Sequence, residues 1–319
     1  MVGPIVRLRI SRIVAVAMLM SGAVAIAQEK YPSKVVRIMT AAPGSNHDWG
    51  ARLTAHELTP RLGQRVIVEN RGSIAVEITA KDSSTDGHTL LFYGAYVWLQ
   101  PLLQKVNWDP LTDLAPITLA MSSPNVLVVH PSLPVKSVKE MIALAKARPG
   151  ELNYSAGGGG STPHMAAELF NYMAKVRITR VLYKGSGPSM IGLLTGESQL
   201  MFAALGPIQP FIGQGKVRAI AVSTPQRSPL APDLPTVAET LPGFSAQAAI
   251  GFFAPRKTPA AIVNVLNREI VQALRGSDPQ KIAAAGIEII GNSPQEFLQF
   301  IKADMAKMGE VIKSGAFGS

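Results

Sequence analysis

The sequence predicts an α/β protein built from two lobes. From Val35 onward, short runs of β-branched residues alternate with segments of helical periodicity, a pattern typical of a mainly parallel sheet flanked by helices. Glycine-rich turns stand at several strand-to-helix junctions. The 319 residues are enough for one large or two medium domains with substantial cores, and we expect two.

The first part of the chain shows the alternation clearly. The helical segment from Trp49 to Leu62 places its large apolar residues roughly on one face, and Gly63 ends it. The Asp86-Gly87 turn precedes a further strand. The strands predicted here are Val35 to Met39, Val66 to Val68, Thr89 to Tyr93, Ile117 to Met121 and Asn125 to Val129.

The second part continues the pattern. Ser137 and Glu140 predict a capping box, in which the hydroxyl and the carboxylate accept hydrogen bonds from free amides at a helix start. The prolines between Pro225 and Pro242 predict an irregular, extended connector. Further strands are predicted at Asn153 to Ser155, near Val181, at Leu200 to Ala203, Ala219 to Val222 and Ile287 to Ile290, an apolar run at Ala248 to Ala254, and helices at Pro163 to Ala174, Ser189 to Leu194, Pro259 to Leu274 and Ser293 to Lys313.

The N-terminal segment is typical of a secretory signal peptide. Three arginines and no acidic residue precede an apolar stretch from Ile13 to Ile26. Ala25 and Ala27 are the small residues that a signal peptidase requires, and Gln28 begins a polar segment. A retained membrane anchor is the alternative, but the stretch is shorter than the roughly 20 residues that span a bilayer. We therefore expect cleavage after Ala27, which removes residues 1–27.

The composition excludes several classes of site. Because the sequence has no cysteine, it has no disulfide, thiolate metal site, cysteine nucleophile or lipid-carrying N-terminal cysteine. Lys and Arg number 31 against 21 Asp and Glu, but no stretch alternates basic and aromatic residues as a nucleic-acid groove does. No two of the five histidines have the spacing along the sequence that metal ligands on a helix require. We predict no cofactor, no metal and no nucleic-acid partner.

The clearest ligand motif is the glycine run from Gly157 to Gly160, followed by Ser161 and Thr162. Its backbone amides are uncovered, and the following helix adds the positive end of its dipole, so the run predicts an anion-binding site. The alternative is a flexible turn that Ser161 or Thr162 caps for helix stability alone. Nucleotide motifs do not fit, because a dinucleotide fingerprint needs glycine where Thr162 stands and no Gly-Lys-Ser/Thr follows.

Two other strand-to-helix junctions carry polar groups. Gly44, Ser45, Asn46 and Asp48 lie at the first junction, on the side of an open α/β sheet where ligands bind. Asp48 is equally consistent with a plain N-cap. Lys184, at a later junction, would suit a carboxylate, although a solvated surface lysine is at least as consistent with the sequence.

Two enzyme-like patterns carry less information. His164 and Glu168 lie one turn apart on a predicted helix, which favours a local stabilising pair over an acid and a base. Residues 196–200 miss the nucleophile-elbow pattern, because Leu200 stands where glycine is needed. A secreted serine hydrolase using Ser161 and His164 is an alternative, but no third member or oxyanion site is visible.

Eight short sequence motifs beyond residue 27 are informative because of the order in which they occur along the chain. They are residues 31–34, 61–64, 68–71, 86–91, 122–129, 161–164, 183–186 and 233–239. Each is weak alone, but the ordered set is specific and covers essentially the whole mature chain. In this order the segments resemble the Bug family, the extracytoplasmic receptors of tripartite tricarboxylate transporters.

The resemblance implies a two-lobed periplasmic binding protein with two inter-lobe crossings, near Asn125 and Ala249, that closes on its ligand like a flytrap. Lobe one would hold residues 28–125 and 250–319, and lobe two 126–249. It further implies a soluble periplasmic monomer, not an enzyme, that captures a small carboxylate and delivers it to integral-membrane permease subunits. A periplasmic sensor that docks on a signalling protein is the alternative.

The resemblance also places the ligand on the junction loops. The residues that it implies in binding are Gly44, Ser45, Asn46, Asp48, Ser73, Tyr93, Ala95, Gly158, Gly159, Ser161, Thr162, Lys184 and Ala203. Three departures from the family pattern fall among them. The first loop keeps only Gly44 and Asp48, the loop at Gly72 is shorter, and Ala203 replaces an aspartate. These departures predict a pocket reshaped for another ligand.

Overall fold

The computed structural model describes residues 31–43, 45–157, 161–183 and 185–314. The predicted signal peptide therefore lies outside the described residues, as do the predicted site residues Gly44, Gly158, Gly159 and Lys184. Within the described ranges, every helix is too short or too polar to span a bilayer.

Strands and helices alternate through most of the chain. The strands are β1 (Val36–Thr40), β2 (Val66–Asn70), β3 (Thr89–Gly94), β4 (Leu114–Ser123), β5 (Asn125–Val129), β6 (Asn153–Gly157), β7 (Thr179–Tyr183), β8 (Leu200–Ala204), β9 (Arg218–Val222), β10 (Ala248–Pro255) and β11 (Glu288–Ile289). The helices are α1 (Asn46–Leu62), α2 (Ile74–Ala80), α3 (Tyr96–Leu103), α4 (Val138–Ala147), α5 (Thr162–Ala174), α6 (Ser186–Leu194), α7 (Leu205–Gly213), α8 (Ala260–Arg275), α9 (Pro279–Ala284) and α10 (Pro294–Lys313), with a 3-10 helix at Val237–Glu239.

The strands form two sheets, one in each lobe of the fold. The first has the order β11-β4-β10-β3-β1-β2 and the second β7-β6-β8-β5-β9. The prediction of mainly parallel sheets is wrong, because the antiparallel pairings among the described strands (β10 with β3 and β4, β11 with β4, β5 with β8 and β9) outnumber the parallel ones. Four of these five antiparallel pairings involve β5 or β10, the strands that follow the two passages of the chain between the sheets and run against their neighbours.

The chain crosses between the sheets at two adjacent points. β4 ends at Ser123, β5 begins at Asn125, and Ser123 pairs in register with Ala248 at the start of β10. The Asn125 side-chain amide donates a hydrogen bond to the Ala246 carbonyl at 2.9 Å, and the Ser223 hydroxyl donates to the same oxygen at 2.9 Å. The Asn125 backbone amide donates to the Ser223 Oγ at 3.1 Å. These bonds tie the two crossings to the end of β9.

One hydrophobic cluster runs through both lobes. It contains Trp98 and Phe297 in the first lobe and Phe244 in the second, all buried. Met165 of α5 and Met308 of α10 belong to the same cluster. Helices α5 and α10 therefore pack together from opposite lobes, and the first lobe meets the second through apolar side chains.

The predicted elements are present, with differences at their ends. α1 begins earlier than predicted because Ser45 rather than Asp48 is its N-cap, and the Ser45 Oγ accepts a hydrogen bond from the Asp48 amide at 3.2 Å. Ser137 caps α4 as predicted, with its Oγ 3.2 Å from the Glu140 amide. The Glu140 carboxylate, however, accepts from the Lys136 amide at 2.6 Å, one residue before the expected partner.

Candidate functional site

A cavity of about 440 Å³ lies between the two sheets, within the size range of small-molecule sites. Its walls are the end of β3 with the start of α3, the start of α5, the crossing segment at the start of β10, and the last helix, α10. The described residues that line it are His47, Tyr93, Gly94, Ala95, Tyr96, Leu99, Gly157, Ser161, Thr162, Met165, Ser245, Ala246, Gln247, Ala248, Ala249, Ile250, Asp304 and Met308.

On the lobe-two wall, Ser161 presents a free hydroxyl. It is the N-cap of α5, with the extended backbone typical of that position, yet its side chain makes no capping hydrogen bond. Its Oγ is buried and has no hydrogen-bond partner among the described residues. A buried hydroxyl without a partner costs about 1–3 kcal/mol. The hydroxyl and the α5 N-terminus, which attracts negative charge, are both available to a ligand.

On the lobe-one wall, His47 presents an unpaired ring nitrogen. Its Nε2 is buried and forms no hydrogen bond within the part of the chain that the structure describes. The ring packs on Tyr93 at a centroid distance of 5.0 Å. A side chain at Gly94 would place its Cβ 2.9 Å from Nε2, so glycine leaves room for the imidazole. Burial lowers the pKa of His47 to about 4, so the imidazole is neutral near pH 7.

Most of the remaining wall is apolar or aromatic. Tyr93 and Tyr96 pack against each other at 5.8 Å, and burial, with a smaller contribution from Tyr96, raises the pKa of Tyr93 to about 12. Both the imidazole and the Tyr93 phenol are therefore neutral. Leu99, Met165 and Met308 provide aliphatic contacts.

An acidic group stands in the α10 wall. The Asp304 Oδ2 accepts a hydrogen bond from the Trp98 Nε1 at 2.9 Å, and its Oδ1 lies 3.2 Å from the Lys307 Nζ. Lys307 also donates to the Ser245 carbonyl, at 2.6 Å. Lys307 thus links the last helix to the crossing segment that precedes β10.

Residues 51–316 match the family model described as tripartite tricarboxylate transporter family receptor. The chain belongs to this family. Protein BugT of Bordetella pertussis is 33% identical over 90% of this chain and 91% of its own length. The resemblance of the ordered segments to the Bug family is therefore confirmed.

Solved structures of relatives share the fold of this family member. R. palustris Rpa4515, solved with adipate, has 34% sequence identity and a TM-score of 0.72, covering 90% of this chain and 98% of its own. MatC (Rpa3494) from Rhodopseudomonas palustris, solved with bound malate, has 29% identity and a TM-score of 0.71, covering 88% and 100%. The two-lobed α/β fold expected from the sequence is confirmed.

Four of the predicted site residues line the cavity of this receptor-family chain. They are Tyr93, Ala95, Ser161 and Thr162. His47 was not singled out among the predicted residues, because a single histidine without metal spacing carries no signal of its own. It lies in the first turn of α1, directly after the first junction. Asp304 and Met308 were also missed, since nothing in the sequence brings α10 to the junction loops.

Three other predicted residues lie on a separate groove. Ser45, Asn46 and Asp48 line it together with residues of α1 and α9. The Asp48 Oδ1 accepts hydrogen bonds from the Arg52 Nε and the Asn70 Nδ2, both at 2.9 Å. Asp48 therefore ties α1 to the end of β2, and the structure does not bring these three residues to the cavity between the sheets.

The last two described residues of the predicted set lie elsewhere. Ser73 is exposed at the start of α2. Ala203 is fully buried on β8, in register with Val126 of β5, and packs in the cluster that contains Leu205 and Ile208. It is part of the interior of lobe two and is not among the residues around the cavity.

The residues of the hydrolase alternative do not form a catalytic pair. The His164 Nε2 lies 2.6 Å from the Arg180 Nη1 and 3.6 Å from the Glu168 Oε1, which fits the stabilising pair predicted for His164 and Glu168. The Ser161 Oγ has no partner in the described chain, so it lacks the bond to a base that an activated serine requires. Within the described ranges, no group of His, Asp and Glu could hold a metal ion.

Proposed function

We propose that this protein is a periplasmic solute-binding receptor that captures a small carboxylate in the cavity between its lobes. The observation that carries the proposal is that two buried polar atoms without described partners, the Ser161 Oγ and the His47 Nε2, belong to the same cavity from opposite lobes. A ligand that forms a hydrogen bond with either atom removes the free-energy cost of leaving that atom buried without a partner.

Carboxylate is the ligand class that these groups suit. The Ser161 hydroxyl and the amides at the start of α5 donate hydrogen bonds, and the helix dipole favours negative charge there. The neutral His47 ring donates when Nε2 carries the proton. The adipate and malate named for Rpa4515 and MatC are carboxylates too, which supports the same class for this chain.

Capture occurs by lobe closure. The two lobes comprise residues 28–125 with 250–319 and residues 126–249, a division supported by the separate sheets that these segments form. Closure about the paired crossings brings Ser161 and Thr162 onto the ligand. The ligand shifts the population toward the closed form by its extra affinity for that form.

The loaded receptor then docks on the membrane subunits of a tripartite tricarboxylate-type transporter. This step is supported by the family to which the chain belongs. After removal of residues 1–27 the protein works as a free monomer in the periplasm, and no covalent bond of the ligand is made or broken.

Isothermal titration of the mature protein, residues 28–319, with mono- and dicarboxylates tests the proposal. We expect at least one carboxylate to bind with 1:1 stoichiometry and to raise the melting temperature. Binding of a neutral compound with no response to any carboxylate, or steady turnover of an ester, would contradict it.

A further inference from the structure

The cavity proposed for a carboxylate contains an acidic side chain. Asp304 is the charged residue among its described lining residues, which include no lysine or arginine. It lies on α10, whereas Ser161 belongs to the start of α5 and His47 to α1. The anion-attracting groups and the acidic group are therefore on different walls.

Both oxygens of Asp304 are held in place. Trp98 donates to one at 2.9 Å, and Lys307 lies 3.2 Å from the other. The ammonium of Lys307 is occupied by this carboxylate and by the Ser245 carbonyl at 2.6 Å. Lys307 thus pairs with Asp304 from outside the cavity, so the carboxylate is the charged group of this pair that lines it.

The surface next to Asp304 is apolar. Met308 follows Asp304 by one turn of α10 and is on the same helix face, and Leu99 and Tyr96 line the cavity from α3. A ligand body that meets this wall gains from apolar contact. A second ligand carboxylate would meet the negative charge of Asp304 and lose its own hydration.

We infer that the ligand is a monocarboxylate with an apolar or aromatic body, and that Asp304 excludes dicarboxylates from the cavity. This inference rests on the proposed function and narrows it to one substrate class. Like charges in a partly desolvated site repel more strongly than in water. The selectivity distinguishes this chain from Rpa4515 and MatC, whose named ligands, adipate and malate, are dicarboxylates.

Matched pairs of ligands test the inference on the wild-type mature protein. Hexanoate is compared with adipate, and benzoate with terephthalate, because each pair differs by one terminal carboxylate. We expect the preferred monocarboxylate to bind at least about tenfold more tightly than its dicarboxylate partner, a difference of about 1.4 kcal/mol. Isothermal titration gives both affinities.

The variant Asp304→Asn tests whether the negative charge of Asp304 is what excludes dicarboxylates. Asparagine keeps an oxygen that accepts from Trp98, but it removes the negative charge and leaves the Lys307 ammonium uncompensated beside the cavity. Dicarboxylate affinity should therefore rise about tenfold, while monocarboxylate affinity changes by less than about threefold. Glu310→Gln is the matched control, because Glu310 lies on the same helix and pairs at 3.2 Å with a lysine three residues later, Lys313, but is exposed. The control should leave the ratio unchanged.

The outcomes separate this inference from the proposed function. Dicarboxylate binding equal to or tighter than monocarboxylate binding in the wild type overturns the inference and leaves the receptor proposal standing. An unchanged ratio in a folded Asp304→Asn protein overturns the role of Asp304. The absence of binding by every carboxylate overturns both proposals. The wild-type comparison needs no variant, so it decides the substrate class even if Asp304→Asn does not fold.

Discussion

The side chain of Asn125 joins the two inter-lobe crossings by donating a hydrogen bond to the carbonyl of Ala246. Asn125 is 1% exposed, so its amide group cannot exchange this partner for water. The contact lies between β5 and the segment before β10, where the chain passes between the two sheets. Its loss should therefore affect the stability of the whole molecule.

Asn125→Ala is expected to lower the free energy of unfolding by about 1–3 kcal/mol, because it removes a buried hydrogen bond and leaves a small cavity. Urea denaturation followed by circular dichroism measures the change. Asn107→Ala is the control, since Asn107 makes an exposed hydrogen bond to Glu77, and it should change stability by less than about 0.5 kcal/mol. Equal effects of the two substitutions would contradict a special role of Asn125.

His47 should make stability depend on pH. Its pKa is about 4 in the folded protein, below the ordinary value of 6.5. Between these pH values the unfolded chain binds a proton that the folded chain does not, so the free energy of unfolding falls as pH is lowered from 6.5 to about 4. The contribution is about 3 kcal/mol.

His47→Gln removes this contribution, so the variant should lose less stability than the wild type between pH 7 and pH 4.5 in urea titrations. His56→Gln is the control, because the His56 side chain is 84% exposed, and it should follow the wild type. If His47→Gln and the wild type lose the same free energy over this interval, His47 is not buried in its neutral form.

Two N-cap serines should respond in opposite ways to alanine substitution. Ser161→Ala removes a buried hydroxyl without a described partner, so the stability of the unliganded protein should not fall and should rise by up to about 1–3 kcal/mol. Carboxylate affinity should fall about tenfold or more, since a hydrogen bond to a charged group contributes about 1.5–3 kcal/mol. Ser137→Ala removes the hydroxyl that accepts a capping hydrogen bond from the Glu140 amide, so stability should fall by about 1 kcal/mol while carboxylate affinity is unchanged. Melting curves and isothermal titration of both variants measure this. A loss of stability with unchanged affinity in Ser161→Ala would mean that its hydroxyl serves the helix.

Gly157 should not accept a side chain. A Cβ at this position would collide with the backbone of Gly185, where β7 leads into α6. Gly157→Ala must therefore displace one junction at the cavity, and we expect a loss of about 1–3 kcal/mol in stability together with weaker ligand binding. Gly213→Ala is the control, because this helical glycine has open space around it. The variant is expected to keep the stability and the ligand affinity of the wild type. Wild-type melting and affinity in Gly157→Ala would show that the two junctions are not in close contact.

The sequence predicted the strands well and several helices poorly. Strands such as β5 consist of β-branched and aliphatic residues that favour extended backbone. The helices that were not predicted carry contrary signals: α3 contains Pro101 and α7 contains Pro210. The β-branched Ile74, Val76 and Ile78 of α2 are typical of strands. Packing against the sheets stabilises these helices despite their composition.

The candidate site was predictable on one side only. The glycine run and Ser161 predict an anion-binding junction, because the backbone amides and the hydroxyl that would form it lie within one short stretch of sequence. Asp304 and Met308 reach the same cavity from the last helix, and the amphipathic pattern of α10 shows that one face is buried but not which element covers it. A wall formed by residues so distant in sequence is set by tertiary packing.

The place of β10 in the first sheet has a consequence for the timing of folding. This strand lies between β3 and β4, yet the whole of the second sheet separates it from them in the chain. The first sheet cannot close its centre until residue 255 has been synthesised, and such long-range pairing slows folding. This delay would favour the export that the sequence predicts, because a chain whose first sheet is still incomplete can be threaded through a membrane more readily than a folded one.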